Sequence, residues 1–461
     1  MCNGTIMDKL ISFSIPLMLS GILQLMFNAV DIVVVGRFSG SQALAAVGST
    51  TALINVFTNL FIGISLGANV LAARYYATGK TKEMSETVHT AIALALVSGV
   101  AMAVIGVVFA RGALEIMGTP DDVIAKSTLY MRIYFCGMPF FMMYNYGAAI
   151  LRAVGDTKRP LIFLIVSGVI NAVLNLFLVI VFHLDVAGVG IATVISQLVS
   201  CILVLRCLHH TESSYQLHLA KLRIRSVYLK QIFEVGVPAG IQSTVINISN
   251  AMLQSSVNSF GSIAMAGYTA SNNIFGFLYV SVNSFTQACM SFTSQNYGVK
   301  KLKRMDRVLI DCMILSVVVT LILGSSVYIF GPELLHIYSN QADVIKYGME
   351  IFSYTTVTYF LCGLMDLFPG ALRGMGYSTV PFYHRYGRSP DYLDLWTVPF
   401  TQITDFLVSV LSGILDCNDH HAGDLLLVCK EEDSQDDGDC GRVIFFRTYH
   451  ISYNDKKLPE S

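Results

Sequence analysis

The chain has 461 residues, of which 54% are apolar and 13% are charged, and its mean hydropathy is +0.60. A soluble domain usually carries about a quarter charged residues, so this composition excludes an ordinary soluble protein. The net charge is only −1, and the ten cysteines are scattered singly, mostly in apolar blocks. Neither a disulfide framework nor a metal site is therefore predicted. Since the sequence has no phosphate-binding glycine loop and no nucleophile triad, we predict that the chain is not an enzyme.

Apolar blocks of roughly 20 residues, the length that spans a bilayer as a helix, recur along the chain. They predict an all-α, polytopic membrane protein with ten spans before residue 381. The approximate bounds of these spans are 10–35, 43–71, 88–109, 127–151, 160–182, 186–207, 231–256, 264–291, 308–330 and 349–371.

Lysine and arginine are distributed unequally between the two sides of the predicted spans. If the N-terminus is cytoplasmic, eighteen of the basic residues up to position 381 fall on the inner side and five on the outer side. Because basic loops stay in the cytoplasm, the sequence predicts a multi-pass protein of the cell membrane with a cytoplasmic N-terminus.

The two halves of the chain carry the same short sequence motif at an offset of 221 residues. LRAVGDTKRP at 151–160 returns as LRGMGYSTVP at 372–381. The recurring residues are Leu151/Leu372, Arg152/Arg373, Gly155/Gly376 and Pro160/Pro381, with Ala43/Ala264, Tyr76/Tyr297, Lys80/Lys301 and Lys82/Lys303 at the same offset. An internal repeat of this kind predicts two parallel six-helix lobes that face each other across a central cavity.

The repeat divides the chain into four predicted parts. Residues 1–208 form an N-lobe of six transmembrane helices, 209–230 a cytoplasmic linker, and 231–381 a C-lobe of four helices. A polar, acidic tail at 382–461 stands where the last two helices of the C-lobe belong, so the second lobe is incomplete as written. The Arg–Gly–Pro motif itself closes the fourth helix of each lobe, either as a plain helical corner or with its arginine reaching lipid phosphates.

Asp31 is the most informative polar residue because an ionised carboxylate inside a membrane span is costly unless it is hydrated or paired. It shares one helix face with Gln24 and Asn28, at a spacing of i, i+4 and i+7. That face suggests a cavity lining in which the carboxylate carries a proton or binds a small cation. The alternative is an Asp31 near the outer interface that merely pairs with Arg37.

Further amides and hydroxyls lie in other spans. In the N-lobe they can coordinate a cation or simply join neighbouring helices, and in the C-lobe they predict a cavity wall rich in amides. The candidates are Asn171, Asn175 and Thr193 in the N-lobe and Gln242, Asn250 and Gln287 in the C-lobe. Asp366 is an isolated acid in the tenth span, which either titrates or lies hydrated beside Pro369.

Taken together, Pro16, the Gln24–Asn28–Asp31 face followed by Val35-Gly36-Arg37, ALAAVG at 43–48 and both Leu-Arg-x-x-Gly copies resemble the multidrug and toxic compound extrusion (MATE) transporters. The resemblance covers about residues 8–381. It implies twelve helices in two lobes and export of organic cations and amphipathic drugs in exchange for Na⁺ or H⁺. It also implies a monomer in the lipid bilayer, with no nucleic-acid partner and no cofactor besides the coupling ion.

By position, Asp31 is similar to the family's first-helix coupling aspartate, and Gln24, Asn171, Asn175 and Thr193 are similar to the rest of its N-lobe site. Asn145, seven residues before Arg152, is a weaker match in the fourth helix. This chain departs from some members, which carry Asp where Asn175 stands. It also lacks the seventh-helix glutamate of a sodium-coupled branch.

After Pro381 the repeat predicts two more helices near 382–401 and 407–426, but charges and prolines stand there instead. A change of reading frame near Phe382 would account for this, because a shifted frame can encode an apolar segment. The main functional hypothesis is therefore a cation-coupled multidrug antiporter that works by alternating access. The alternatives are an inactive, truncated or frame-shifted transporter and a flippase for a lipid-linked precursor.

Overall fold

The computed structural model describes residues 1–258 and 262–378, and this part of the chain is all-helical, as predicted. The predicted tail at 382–461, the two missing helices and the frame change lie outside the described residues. The helices are α1 Met7–Phe38, α2 Ser41–Ala77, α3 Thr81–Ile116, α4 Asp121–Cys136, α5 Met138–Ala153, α6 Lys158–Leu176, α7 Asp185–His209, α8 Ser226–Asn258, α9 Ser262–Gly298, α10 Leu302–Ile329, α11 Gly331–His336 and α12 Ala342–Gly374.

Helix boundaries repeat at the offset seen in the sequence. Ser41–Ala77 and Ser262–Gly298 begin and end 221 residues apart. The same shift takes the start of α3 at Thr81 to the start of α10 at Leu302, and the end of α5 at Ala153 to the end of α12 at Gly374. α1 to α7 lie in the predicted N-lobe, and α8, α9, α10 and α12 follow the order of α1, α2, α3 and the α4–α5 pair.

The fourth predicted span, 127–151, is not one straight helix. It is α4 and α5, separated at Gly137 and followed by Pro139 in the first turn of α5. Proline is tolerated there because a first-turn N–H has no partner within its own helix. The equivalent helix α12 bends by 52° between Ala342–Thr356 and Thr358–Gly374. The fourth span is therefore interrupted at Gly137 in the first lobe and bent in the second, which hydropathy alone does not reveal.

Six of the described helices are long and apolar enough to cross a membrane alone, and the bent α12 makes a seventh. α8 and α9, with 33 and 37 residues, are long enough but more polar because amides and hydroxyls interrupt them. α4 and α5 are 16 residues each, so they cross only as a pair. The chain is a multi-pass membrane protein.

The C-terminal ends of α2, α5, α7, α9 and α12 lie at the same end of the molecule, which we call the corner end. The two lobes meet there. Phe13 of α1 packs edge-on against Phe292 of α9, with ring centroids 5.6 Å apart. Tyr75 of α2 donates a hydrogen bond of 3.0 Å to the side-chain oxygen of Gln231 in α8. Toward the opposite end, Gln24 and Asn28 of α1 are exposed.

The closest approach of the lobes is between α2 and α8. Each helix carries glycines four residues apart, Gly63 and Gly67 in α2 and Gly236 and Gly240 in α8. A Cβ added at Gly63 would lie 2.2 Å from the Cα of Gly240, and one at Gly236 would lie 2.5 Å from the Cα of Ile64. Small residues at this spacing let helix backbones touch, which is how membrane helices gain van der Waals contact.

The segment between the lobes runs from His209 to Ser226 and is docked on α3. The backbone N–H of His218 donates to Nε2 of the buried His89 over 3.1 Å. Glu86 pairs with both Arg223 and Arg225, and the Nε atom of each arginine lies 3.3 Å from Oε2 of the carboxylate. The segment that joins the lobes is therefore fixed to the N-lobe.

Candidate functional site

α1 and α6 pack closely enough to bring the Asp31 side chain into the N-lobe. A Cβ added at Gly168 of α6 would lie 1.6 Å from the ring of Phe27 in α1, so only glycine admits that ring. One helical turn further along both helices, Asp31 faces Asn171 and Asn175. The glycine thus positions the carboxylate against the amides of α6.

The Asp31 carboxylate lies among neutral oxygen and nitrogen groups. Nδ2 of Asn175 donates to Asp31 and also to Oδ1 of Asn171, over 3.2 Å in the second case. Thr193 of α7 lies within hydrogen-bonding reach of the same carboxylate, and its hydroxyl donates to the carbonyl oxygen of Val189 over 2.9 Å. Three helices, α1, α6 and α7, therefore converge on one acid.

Among residues 1–258 and 262–378, Asp31 is not held in a salt bridge, and a buried amide oxygen next to it lacks a hydrogen-bond partner. Within the part of the chain that the structure describes, Asp31 forms no salt bridge, and so the alternative pairing with Arg37 is not what is observed. Asn171 and Asn175 are 5% and 0% exposed. Oδ1 of Asn175 is buried and has no hydrogen-bond partner among the described residues, which is costly unless something else binds it.

The chemistry of this arrangement suits a small hard cation or a proton. One carboxylate, two amide oxygens and a hydroxyl are the oxygen ligands that such cations prefer. A proton would instead neutralise Asp31 and remove the cost of a charge inside the membrane. Directly after Asn175 the helix loosens into a π-helical turn, Phe177–Val181, an irregularity that is frequent at functional sites.

Two tyrosines that sequence reasoning missed also border this site. Tyr130 and Tyr134 of α4 lie close enough to Asp31 to interact with its charge, and Tyr130 is 6% exposed. Their spacing of four residues places both on one helix face. The sequence feature that would have identified these tyrosines is their spacing of four residues within a predicted span.

The remaining cavity candidates are spread over several helices, and the structure does not gather them around Asp31. Gln24, Asn28 and Asn250 are exposed, while Asn145, Gln287 and Asp366 are half-buried. Asn145 donates to the carbonyl oxygen of Phe141 in its own helix over 2.8 Å, and Gln287 donates to Asn283 over 2.6 Å.

Gln242 has a partner that sequence reasoning did not anticipate. It is 2% exposed and accepts a hydrogen bond from the guanidinium of Arg373, the arginine of the second Arg–Gly copy. Arg373 is therefore directed into the C-lobe and does not extend toward lipid phosphates.

A family model described as MatE matches residues 16–177 and, separately, residues 238–385. The chain is 29% identical over 371 residues to a probable multidrug resistance protein, YoeA, of Bacillus subtilis, and the match covers 79% of this chain and 80% of that protein. It is 22% identical over 379 residues to the multidrug export protein MepA of Staphylococcus saprophyticus, with 81% and 83% covered.

Solved structures show the same fold. An outward-facing multidrug resistance MATE family transporter of the MOP superfamily aligns with a TM-score of 0.81 at 19% identity, over 90% of this chain and 93% of that chain. A MOP superfamily transporter from Pyrococcus furiosus, for which a binding pocket of reverse polarity is described, aligns with a TM-score of 0.82 at 19% identity, over 90% and 94%.

Proposed function

This chain belongs to the MatE family of transporters, and from that premise we propose that it is a multidrug exporter that exchanges amphipathic compounds, organic cations among them, for H⁺ or Na⁺. It would act as a monomer in the cell membrane. The observation that carries the proposal is the Asp31 carboxylate, held by Asn175 inside the N-lobe without a basic partner among the described residues. Because an ionisable side chain inside a membrane span is costly, such residues mark the pathways of ions and protons.

The distribution of basic residues supports an orientation for transport. The corner end carries eighteen of the twenty-three Lys and Arg residues up to position 381, so by the positive-inside rule it would face the cytoplasm. The lobes meet at the corner end, whereas exposed polar side chains of α1 and α8 line their opposite halves. The described conformation would then be open toward the outside, where the ion enters and the drug leaves.

The test is ethidium efflux from cells that express the full chain, with Asp31→Asn as the variant. The amide keeps the shape of the side chain but cannot carry a proton or neutralise a cation, so we expect ion-driven efflux to fall at least tenfold. Asp121→Asn, which changes an exposed acid at the start of α4, serves as the matched control and should leave efflux unchanged. Both variants are compared at equal amounts in the membrane.

Unchanged efflux by Asp31→Asn would remove this residue from the mechanism. Separate Na⁺ and pH gradients imposed on vesicles containing the wild-type chain identify the ion, because only the coupled gradient drives ethidium uptake or release. No efflux from the wild-type chain under either gradient would instead support the alternative of an inactive product.

A further inference from the structure

The two Arg–Gly corners have the same internal geometry. α5 ends at Ala153 and α12 at Gly374, and each is followed by a glycine with a positive φ, +99° at Gly155 and +93° at Gly376. In the first corner the N–H of Gly155 donates to the carbonyl of Arg152 and the N–H of Asp156 to that of Leu151. This is the Schellman pattern, which satisfies the second- and third-last helical carbonyls.

The second corner repeats those bonds. The N–H of Gly376 donates to the carbonyl of Arg373 over 2.9 Å, and the N–H of Tyr377 donates to that of Leu372 over 2.9 Å. A helix end leaves four carbonyls without helical partners, so the carbonyls nearest the turn remain after this capping. If the corner only reversed the direction of the chain, these carbonyls would accept hydrogen bonds from water.

In each corner, one of these remaining carbonyls is bound by the opposite lobe. Nε2 of Gln295 in α9 donates to the carbonyl oxygen of Ala153 over 2.6 Å, and Nη2 of Arg74 in α2 donates to that of Met375 over 2.9 Å. Arg74 and Gln295 are themselves 221 residues apart. Each lobe therefore uses the same position of its second helix to hold the end of the other lobe's fourth helix.

Neighbouring groups support this arrangement. The guanidinium of Arg74 lies over the ring of Tyr297, 5.2 Å from its centroid. A Cβ added at Gly376 would lie 2.9 Å from Nη2 of Arg74, so glycine is needed there both for its φ and for the contact. Ser294 adds a further hydrogen bond between the lobes, donating to the carbonyl oxygen of Val70 over 2.7 Å.

We propose that Arg74–Met375 and Gln295–Ala153 form a two-fold latch that keeps the corner end closed, and that both bonds must break before that end can open. The inference rests on the proposed function, because only a transporter that alternates between two openings needs such a latch. Each Arg–Gly corner would thus be the part of one lobe to which the second helix of the other lobe binds.

The test measures lobe separation directly and does not depend on transport. Spin labels on unnatural amino acids replace Lys82 and Lys303, which are exposed, equivalent positions at the corner end, in the otherwise unchanged full chain. Double electron–electron resonance then gives the ratio of closed to open populations in lipid nanodiscs, without and with ethidium.

We expect Arg74→Leu and Gln295→Leu each to shift that ratio about fivefold toward the open population, since each removes one interlobe hydrogen bond of ordinary strength. Asn296→Leu is the matched control. Asn296 is equally buried on α9 but donates within its own helix, to the carbonyl oxygen of Phe292 over 2.8 Å. Its distance distribution should match that of the parent.

If the leucine variants do not reach the membrane, Arg74→Gln supplies the second test. Its amide nitrogen lies two bonds closer to the backbone than Nη2 of arginine, so it loses the contact with the carbonyl oxygen of Met375, and we expect a shift of about fivefold toward the open population. Identical distributions in the parent and in folded latch variants would overturn the latch. Loss of function of Asp31→Asn is read separately, by efflux, so the two hypotheses fail independently.

Discussion

At the scale of single residues, the contact between Asn175 and Asp31 is the feature on which the proposed ion site of the N-lobe depends. The family resemblance implied that Asp31 and Asn175 belong to one site, whereas the residues alone left Asn175 as either an ion ligand or a contact between helices. Neither indicated that Nδ2 of Asn175 would serve two oxygens while Oδ1 stays without a partner among the described residues. Such a detail depends on the distance between α1 and α6, which Gly168 and Phe27 set.

Asn175→Ala should separate the two candidate ions by which dependence of efflux it changes, that on Na⁺ or that on pH. If Na⁺ is bound, the loss of a ligand and of a bond to a charged group, about 2 kcal/mol, should raise the half-saturating Na⁺ concentration about thirtyfold. If H⁺ is bound, the pH profile of efflux should change in this variant while efflux shows no dependence on Na⁺.

The measurement is ethidium efflux against Na⁺ concentration and against pH. Asn340→Ala, an exposed amide between α11 and α12, is the control for expression. If neither dependence changes in Asn175→Ala, Asn175 is not part of the ion site.

At the scale of helices, the hydrophobic pattern was a good guide to where elements lie and a poor guide to how they bend. The tenth predicted span and the fourth both fall on observed helices, but the break at Gly137 and the 52° bend of α12 were missed. Hydropathy averages over about 19 residues and cannot detect a single proline in a first turn. The α2–α8 glycines were missed for a related reason, since four-residue spacing has meaning only when a partner helix is known.

Gly63→Ala should destabilise the contact between α2 and α8. The added methyl meets the backbone of Gly240, which cannot move aside as a flexible side chain does, so we expect a loss of about 1–3 kcal/mol in the free energy of unfolding. Thermal unfolding of the detergent-solubilised chain measures this as a lower Tm. Gly48→Ala, in the same helix with nothing within 4 Å of its added Cβ, should leave Tm unchanged or raise it. Equal Tm values for both variants would contradict the close packing.

At the scale of the whole molecule, the repeat was visible in sequence and returns in the helix boundaries, whereas the relation between lobes was not predictable. Nothing in a single chain distinguishes Arg74 as a residue that reaches the other lobe, because its partner is a backbone carbonyl and carbonyls leave no mark on sequence. The same holds for the segment between the lobes, whose docking on Glu86 and His89 joins residues more than a hundred positions apart.

Glu86→Gln should release that segment from α3. Two partly exposed arginines lose their shared carboxylate, and each such pair contributes about 0.2–1 kcal/mol. Tryptic cleavage after Arg223 or Arg225 should therefore become about two- to thirtyfold faster. Glu115→Gln, which breaks an exposed pair with Arg111 within α3, should not change that rate. Cleavage that stays at the wild-type rate in Glu86→Gln would show that the segment is held by other contacts.

The single carboxylate of the N-lobe site has an electrical consequence. A site with one acid changes by one elementary charge when it binds a monovalent cation, and the position equivalent to Asp31 in the C-lobe is Met252, which carries no charge. Exchange of one such ion for one monovalent organic cation would then move no net charge, so the membrane voltage would neither help nor oppose it. Export of a neutral compound would instead carry one charge inward and draw on about 2.3 kcal/mol for each 100 mV of potential.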